Sequence, residues 1–117
     1  MVDLAEKFDR VDDTWHPRIV GELNESYVKV VKLDGEFVWH HHDDEDELFL
    51  VIAGVLRMQL RDAELEVGPG QFVVIPKGVE HRPVADETVH VVLIEPTSTL
   101  NTGNVEDTRT REHLDWI

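Results

Sequence analysis

The chain has 117 residues, of which 25 are Asp or Glu and 11 are Lys or Arg, and its formal net charge is −14. A field of this sign repels phosphate backbones, so nucleic-acid binding is not expected, and no apolar run approaches the roughly 20 residues that cross a bilayer. The sequence contains no cysteine, which excludes disulfides and thiolate chemistry and favours a cytoplasmic location.

The N-terminal segment has the only helix-compatible pattern in the chain. Leu4, Phe8 and Val11 fall on one side of a short helical turn. The first ten residues include several acids and no apolar stretch, which argues against a secretory signal.

From Arg18 onward, short segments with β-strand character alternate with turn residues. Asp34-Gly35 is typical of a hairpin between two strands, and Asp86-Glu87 is interpreted as a turn before the last strand. The predicted strands cover residues 18–23, 27–33, 36–42, 47–52, 55–61, 63–67, 71–75, 81–85 and 89–95.

The C-terminal tail, residues 97–117, is polar and irregular until it ends in Leu114-Asp115-Trp116-Ile117. We expect its last apolar residues to pack over the barrel or over a partner. Many short strands at regular spacing indicate one all-β domain over residues 1–117, a sandwich or barrel with its core at about residues 18–96.

The most informative stretch begins with His40-His41-His42 and ends with Glu47. Side chains alternate between the faces of a strand, so His40 and His42 should point the same way and His41 the other way. Glu47 opens the return strand, and His81 follows a Pro-x-Gly turn at the start of another strand, where it is placed as a fourth ligand. Three neutral imidazoles and one carboxylate suit one divalent transition metal, namely Fe, Mn, Zn, Ni, Co or Cu. On an octahedral ion about two positions would stay open for water, O2 or a bidentate substrate.

A less specific interpretation of the same stretch is a solvated, charged loop, since four acids follow His42. The position of His81 after the Pro-x-Gly turn makes that interpretation the weaker one. The remaining histidines, His16, His41, His90 and His113, are predicted to lie on the surface or to be structural.

Two motifs resemble those of the cupin family. The first cupin motif is a glycine, a short run, His-x-His, three or four residues, Glu, six residues and Gly. Here it reads Gly35, four residues, His40-x-His42, four residues, Glu47, six residues and Gly54. The interval between Gly35 and His40 is one residue shorter than in the family.

The second cupin motif is Gly, five residues, Pro-x-Gly, two residues, His, three residues and Asn. Here it reads Gly70, five residues, Pro76-x-Gly78, two residues and His81, with Ala85 in place of the asparagine. That asparagine is not a metal ligand in the family. The chain is therefore similar to the small single-domain cupin-2 proteins often labelled mannose-6-phosphate-isomerase-like.

The resemblance implies a cupin-type double-stranded β-helix, or jelly-roll barrel, and a homodimer. It also implies that His40, His42, Glu47 and His81 form a 3-His/1-Glu metal centre in the mouth of the barrel. Cupins range from dioxygenases and isomerases to storage proteins, so two functions stay open. The first is a metal-dependent enzyme of dioxygenase or isomerase type that acts on a small organic molecule, with Glu47 as a candidate acid or base. The second is a non-catalytic module that binds a metal or a small ligand.

Overall fold

The computed structural model describes residues 1–117 and contains one short helix and seven strands. All strand pairs are antiparallel. The helix has six residues, so no helix in the chain is long and apolar enough to cross a membrane. The elements are α1 (Leu4–Asp9), β1 (Arg18–Leu23), β2 (Ser26–Glu36), β3 (Glu47–Ala53), β4 (Leu56–Leu60), β5 (Glu64–Val67), β6 (Phe72–Ile75) and β7 (His81–Pro96).

The long strand β7 organises the sheet. The strand order is β1-β2-β7-β3-β6, with β4 pairing both β7 and β5. The second half of β7 pairs with β3, from Ala53↔His90 to Leu48↔Ile94. Its first half pairs with β4, up to Leu60↔His81. One strand therefore serves two groups of neighbours, and the sheet closes around its core as the jelly roll that the resemblance implied.

Alternation along the strands builds the interior. A cluster of 14 buried residues fills it, with contributions from every strand from β2 to β7. On β3, Glu47, Phe49 and Val51 are all buried, so alternate residues of this strand face inward together. On β4, Leu56 and Met58 are completely buried. The alternation of inward- and outward-facing residues that the sequence predicts therefore matches the observed core.

The N-terminal helix packs against the outer face of the sheet. Phe8 and Val11 join a second buried cluster with Val20, Val30 and Val92. The helix begins after Asp3, whose side chain accepts a hydrogen bond from the backbone of the first turn. The predicted helical turn is confirmed, although the helix ends at Asp9 and not at residue 11.

The C-terminal tail packs on its own barrel. Trp116 forms a parallel bridge with Ile19 of β1, and the Ile117 carbonyl accepts a 2.5 Å hydrogen bond from Lys7 Nζ. Of the two expected positions for the tail, over the barrel or over a partner, the structure shows the first.

The hairpin predicted at Asp34-Gly35 is wrong. Strand β2 runs through both residues to Glu36, with a break in register between Leu33 and Gly35. Gly35 has φ +86°, a conformation that favours glycine. This glycine therefore marks a bulge in a long strand.

The turn predicted at Asp86-Glu87 is also wrong, because β7 is continuous from His81 to Pro96. Its extra residues lie opposite the β2 bulge, where Thr88 Oγ1 donates a 2.7 Å hydrogen bond to Asp34 Oδ2. The strand predicted at 36–42 is largely absent: Glu36 is the last residue of β2, and of residues 37–42 only His40 pairs, in an isolated bridge with His81. In each of these segments, pairing with a strand distant in sequence determines the local structure.

Candidate metal centre

Two loops bring the predicted ligands together. His40 and His42 lie between β2 and β3, and His81 is the first residue of β7. The backbones of His40 and His81 exchange hydrogen bonds of 3.1 and 2.9 Å. Gly78, in the Pro-x-Gly turn, donates a 2.7 Å hydrogen bond to the His42 carbonyl. Backbone hydrogen bonds therefore hold the two motif segments together, independently of any metal ion that their side chains would share.

The four side chains meet at one point inside the barrel. His40, His42, Glu47 and His81 each offer one ligand atom, and these atoms lie within 4.8 Å of one another. None of the four residues is more than 3% exposed. Glu47 Oε1 is 2.9 Å from His42 Nε2 and 3.0 Å from His81 Nε2. The structure thus places all four sequence-predicted residues in one buried cluster.

Backbone carbonyls fix two of the imidazole rings. Nδ1 of His40 is 2.9 Å from the Val38 carbonyl, and Nδ1 of His81 is 2.9 Å from the Val79 carbonyl. A carbonyl only accepts, so each Nδ1 carries the proton. In the neutral ring, Nε2 then keeps its lone pair, the arrangement found in histidine ligands of metals.

The third ring is buried without any hydrogen bond. Neither nitrogen of His42 has a hydrogen-bond partner, although Nε2 lies close to Glu47 Oε1. Buried polar atoms without partners are rare in folded proteins. A cation among these donor atoms would give Nε2 of His42 a partner, and a separation of about 3 Å is what two ligand atoms at right angles, each about 2.1 Å from one ion, would have. The residues present therefore fit a divalent transition metal.

The electrostatics of the cluster favour deprotonated ligands. Burial, and then the charge of His81, lower the pKa of His40 to about 4. Burial alone would raise the pKa of Glu47, but the Glu95 carboxyl and the adjacent His42 and His81 rings together hold it well below its ordinary value. A neutral imidazole and an ionised carboxylate are the forms that bind metal.

Sequence reasoning missed a buried ion pair behind the cluster. Lys29 Nζ lies 2.7 Å from Glu95 Oε1, and the Glu95 carboxyl hydrogen-bonds to that of Glu47. Burial, and then the charge of Glu47, raise the pKa of Glu95 well above its ordinary value, so the two adjoining carboxyls share one proton and carry one negative charge opposite Lys29. Strand alternation could have identified the pair, because Lys29 and Glu95 occupy inward-facing positions of their strands.

A small apolar cavity ends at the cluster. Its volume is about 40 Å³, room for a few water molecules. Glu47 is the only acid that lines it, and no Lys or Arg does. The wall is formed by His40 together with aromatic and aliphatic side chains, among them Trp15, Leu33, Phe37, Phe49 and Leu93.

The C-terminal tail covers the same region. Asn104 and His41 exchange two hydrogen bonds, 2.9 Å from the His41 amide to Asn104 Oδ1 and 3.1 Å from the Asn104 amide to the His41 carbonyl. Asn101 lines the cavity. The Arg109 guanidinium lies 4.7 Å from the centre of the Phe37 ring. Tail residues therefore contact the segment that carries the ligands, which the sequence did not indicate.

The other histidines lie outside the cluster. His41 Nε2 contacts Asp43, and the ring of His90 stacks on Phe8 at 4.7 Å. His16 pairs with a nearby aspartate, and His113 lies in the exposed tail. The acidic residues after His42 form no ligand shell either, and one of them, Asp46, accepts a 2.8 Å hydrogen bond from the Lys77 amide.

The cupin-domain family model matches residues 27–95, more than half of the chain. The chain is a cupin. Among solved structures, this cupin is 43% identical to a cupin-2 domain containing protein from Shewanella frigidimarina, with a TM-score of 0.81 and coverage of 82% of this chain and 94% of that one. It is 26% identical to NMB1881 from Neisseria meningitidis, with a TM-score of 0.76 and coverage of 83% and 99%.

Among curated proteins, the uncharacterized protein YdbB of Bacillus subtilis (strain 168) is 41% identical over 64 residues. That match covers 54% of this cupin and 57% of YdbB, so the chain spans a little over half the length of this relative. A cupin domain with the buried cluster of His40, His42, Glu47 and His81 is consistent with a metal-binding cupin.

Proposed function

We propose that this cupin is a metal-dependent enzyme that acts on a small organic molecule at a 3-His/1-Glu centre. The observation that carries the proposal is the buried donor cluster in which His42 has no other partner. The cavity supports it, because its wall includes His40 and Glu47, so a bound molecule would lie against the ligands.

A divalent metal held by His40, His42, Glu47 and His81 supplies Lewis-acid activation of a substrate oxygen when bound. Within the protein, the Val38 and Val79 carbonyls orient two of the rings. Glu47 is the acid of the cavity wall and is the candidate to accept or return a proton. The apolar wall around it excludes water from a bound molecule.

The lining also restricts the substrate. Because no Lys or Arg faces the cavity, nothing in its wall would neutralise a phosphate group, and a sugar phosphate is disfavoured. Aromatic and aliphatic side chains suit a small molecule with an apolar body and an oxygen donor at one end. Dioxygenase-type or isomerase-type conversion of such a molecule is the reaction we propose.

Metal binding is tested first, with protein prepared without an affinity tag. Metal-free wild type is titrated with Fe(II), Mn(II), Co(II), Ni(II), Cu(II) and Zn(II), beside His81→Ala and the matched control His41→Ala. We expect His81→Ala to lose at least about 10-fold in affinity and His41→Ala to bind as wild type does. Wild-type affinity in His81→Ala would remove this residue from the site.

Catalysis is tested with the Fe(II)- and Mn(II)-loaded protein against catechols, thiols, diketones and keto acids. O2 uptake measures oxygenation, and NMR of the same mixtures measures isomerisation. We expect turnover of at least one apolar member and none in His81→Ala. No turnover with any metal would refute the enzymatic proposal and leave the metal site.

A non-catalytic metal- or small-ligand-binding module is the second candidate. The small cavity and the complete burial of the ligands favour it. Titration of the Co(II)-loaded protein with acetohydroxamate separates the two, because a chelating probe that reaches the ion changes the visible spectrum. A changed spectrum favours the enzyme, and an unchanged spectrum favours the binding module.

We also propose a homodimer that covers the exposed side of β6. This strand lies at the edge of the sheet, and Phe72, Val74 and Leu65 are 62%, 46% and 39% exposed. Exposed apolar groups beside an open strand edge favour association. Light scattering should give twice the chain mass for wild type and the chain mass for Phe72→Glu, and a monomeric wild type would refute the proposal.

A further inference from the structure

An ion pair is buried in the barrel interior where apolar residues would suffice. Lys29 on β2 and Glu95 on β7 have side chains that are only 3% and 2% exposed, and their charged atoms are 2.7 Å apart. Taking two charges out of water is costly, and apolar pairs of similar size are often as stable or more so. The neighbouring inward positions, Val31 and Leu93, are apolar, so an apolar pair would match the rest of this face.

The pair connects directly to a candidate ligand. One oxygen of Glu95 accepts from Lys29, and the other, Oε2, is buried without a partner other than the adjoining Glu47 carboxyl. The Glu95 carboxyl contacts Glu47, whose Oε1 faces His42 and His81. A continuous chain of contacts therefore runs from Lys29 through Glu95 to the metal cluster.

We propose that Lys29 and Glu95 are positioning residues of the metal centre, which hold the Glu47 carboxyl in the orientation that presents Oε1 to the ion. The inference rests on the metal site of the proposed function, and it does not depend on catalysis. Lys29 fixes Glu95 in place, and Glu95 hydrogen-bonds to Glu47. Removing such outer partners of ligands lowers metal affinity about 10- to 100-fold.

The test compares two kinds of replacement. Glu95→Gln keeps an oxygen for Lys29 and an amide N–H for Glu47, so we expect its Co(II) affinity to lie within about threefold of wild type. The double variant Lys29→Met with Glu95→Leu replaces the pair by apolar side chains of similar size. We expect it to fold and to bind Co(II) about 10- to 100-fold more weakly, with a changed visible spectrum of the bound ion.

Lys32→Met is the matched control, because Lys32 lies on the same strand but donates to the Val11 carbonyl on the outer face. We expect its Co(II) affinity and spectrum to be those of wild type. Affinity is measured by competition with a chelator, and thermal unfolding of the metal-free variants measures any purely structural effect.

Wild-type affinity and spectrum in the double variant would refute the positioning role. Should the double variant fail to fold, Glu95→Gln decides, because a loss of more than about 10-fold in that conservative variant would also refute it. Absence of metal binding by wild type would refute the metal site and this inference together. These outcomes distinguish failure of the metal site from failure of the positioning role alone.

Discussion

Gly103 lies where the C-terminal tail crosses the ligand segment, and Gly103→Ala tests how firmly the tail is held there. A Cβ at this position would lie far inside contact distance of the His41 carbonyl oxygen and 3.2 Å from Cδ2 of the His40 ring. The first of these neighbours is backbone and cannot rotate away. The tail must therefore move away from His41 to accommodate the methyl group.

The cost follows from two contributions. Gly103 has φ +57°, a left-handed conformation that costs a residue with a side chain about 1–2 kcal/mol. Moving the tail also breaks the two hydrogen bonds between His41 and Asn104, each worth about 0.5–1.5 kcal/mol. We expect Gly103→Ala to lower the free energy of unfolding by about 2–5 kcal/mol.

Gly70→Ala is the matched control. Gly70 also has positive φ, +80°, but nothing lies within 4 Å of a Cβ built there, so only the conformational cost of about 1–2 kcal/mol applies. Urea denaturation, followed by tryptophan fluorescence, measures both variants. Trypsin cleavage after Arg109 and Arg111 reports on local release of the tail and should accelerate in Gly103→Ala alone. Equal stability and equal cleavage in the two variants would show that the tail is not held at His41.

Met58 is completely buried, so Met58→Ala is expected to lower the unfolding free energy by about 2–5 kcal/mol. Leu23→Ala, at a side chain that is 63% exposed, should change it by less than about 1 kcal/mol; urea denaturation compares the two variants, and similar losses would contradict the assigned core. Burial, and then the charge of His81, lower the pKa of His40 from 6.5 to about 4. Between these values the unfolded chain binds the extra proton, so metal-free protein should be fully stable above about pH 6.5 and lose about 3 kcal/mol as the pH falls to 4. His40→Phe, measured by urea denaturation over the same range, should lack this part of the pH dependence, and an unchanged profile would contradict the assignment.

The buried cluster was predictable because short motifs specify its four residues. His40, His42 and Glu47 lie within eight consecutive residues, and His81 follows its Pro-x-Gly turn by three. Strand alternation predicts the right pair of histidines, although residues 37–42 do not form the expected strand. His40 is instead held by its bridge to His81, so a long-range contact produced the geometry that strand periodicity was invoked to explain.

Local sequence patterns predict the wrong structure where pairing with a distant strand determines it. Asp34-Gly35 has the composition of a hairpin turn, yet the chain continues because β2 pairs with β7 on both sides of the bulge. Lys29 and Glu95 were overlooked although parity could have identified them. Each is a charged residue on the inward face of a predicted strand, next to Val31 in one case and Leu93 in the other, and a charge at such a position needs a buried partner.

Part of the cavity wall lies outside the part of the chain that defines the family. The family match covers residues 27–95, and it contains the whole metal cluster. Trp15, Pro17 and Asn101 also line the cavity, but they belong to the segments before and after that region. Asn101 is held by hydrogen bonds within the tail, to the Arg109 carbonyl and from the Arg111 amide. Two cupins with the same ligands can therefore present different cavities, and substitutions at Trp15 and Asn101 should change which molecules bind while leaving the affinity for the metal unchanged.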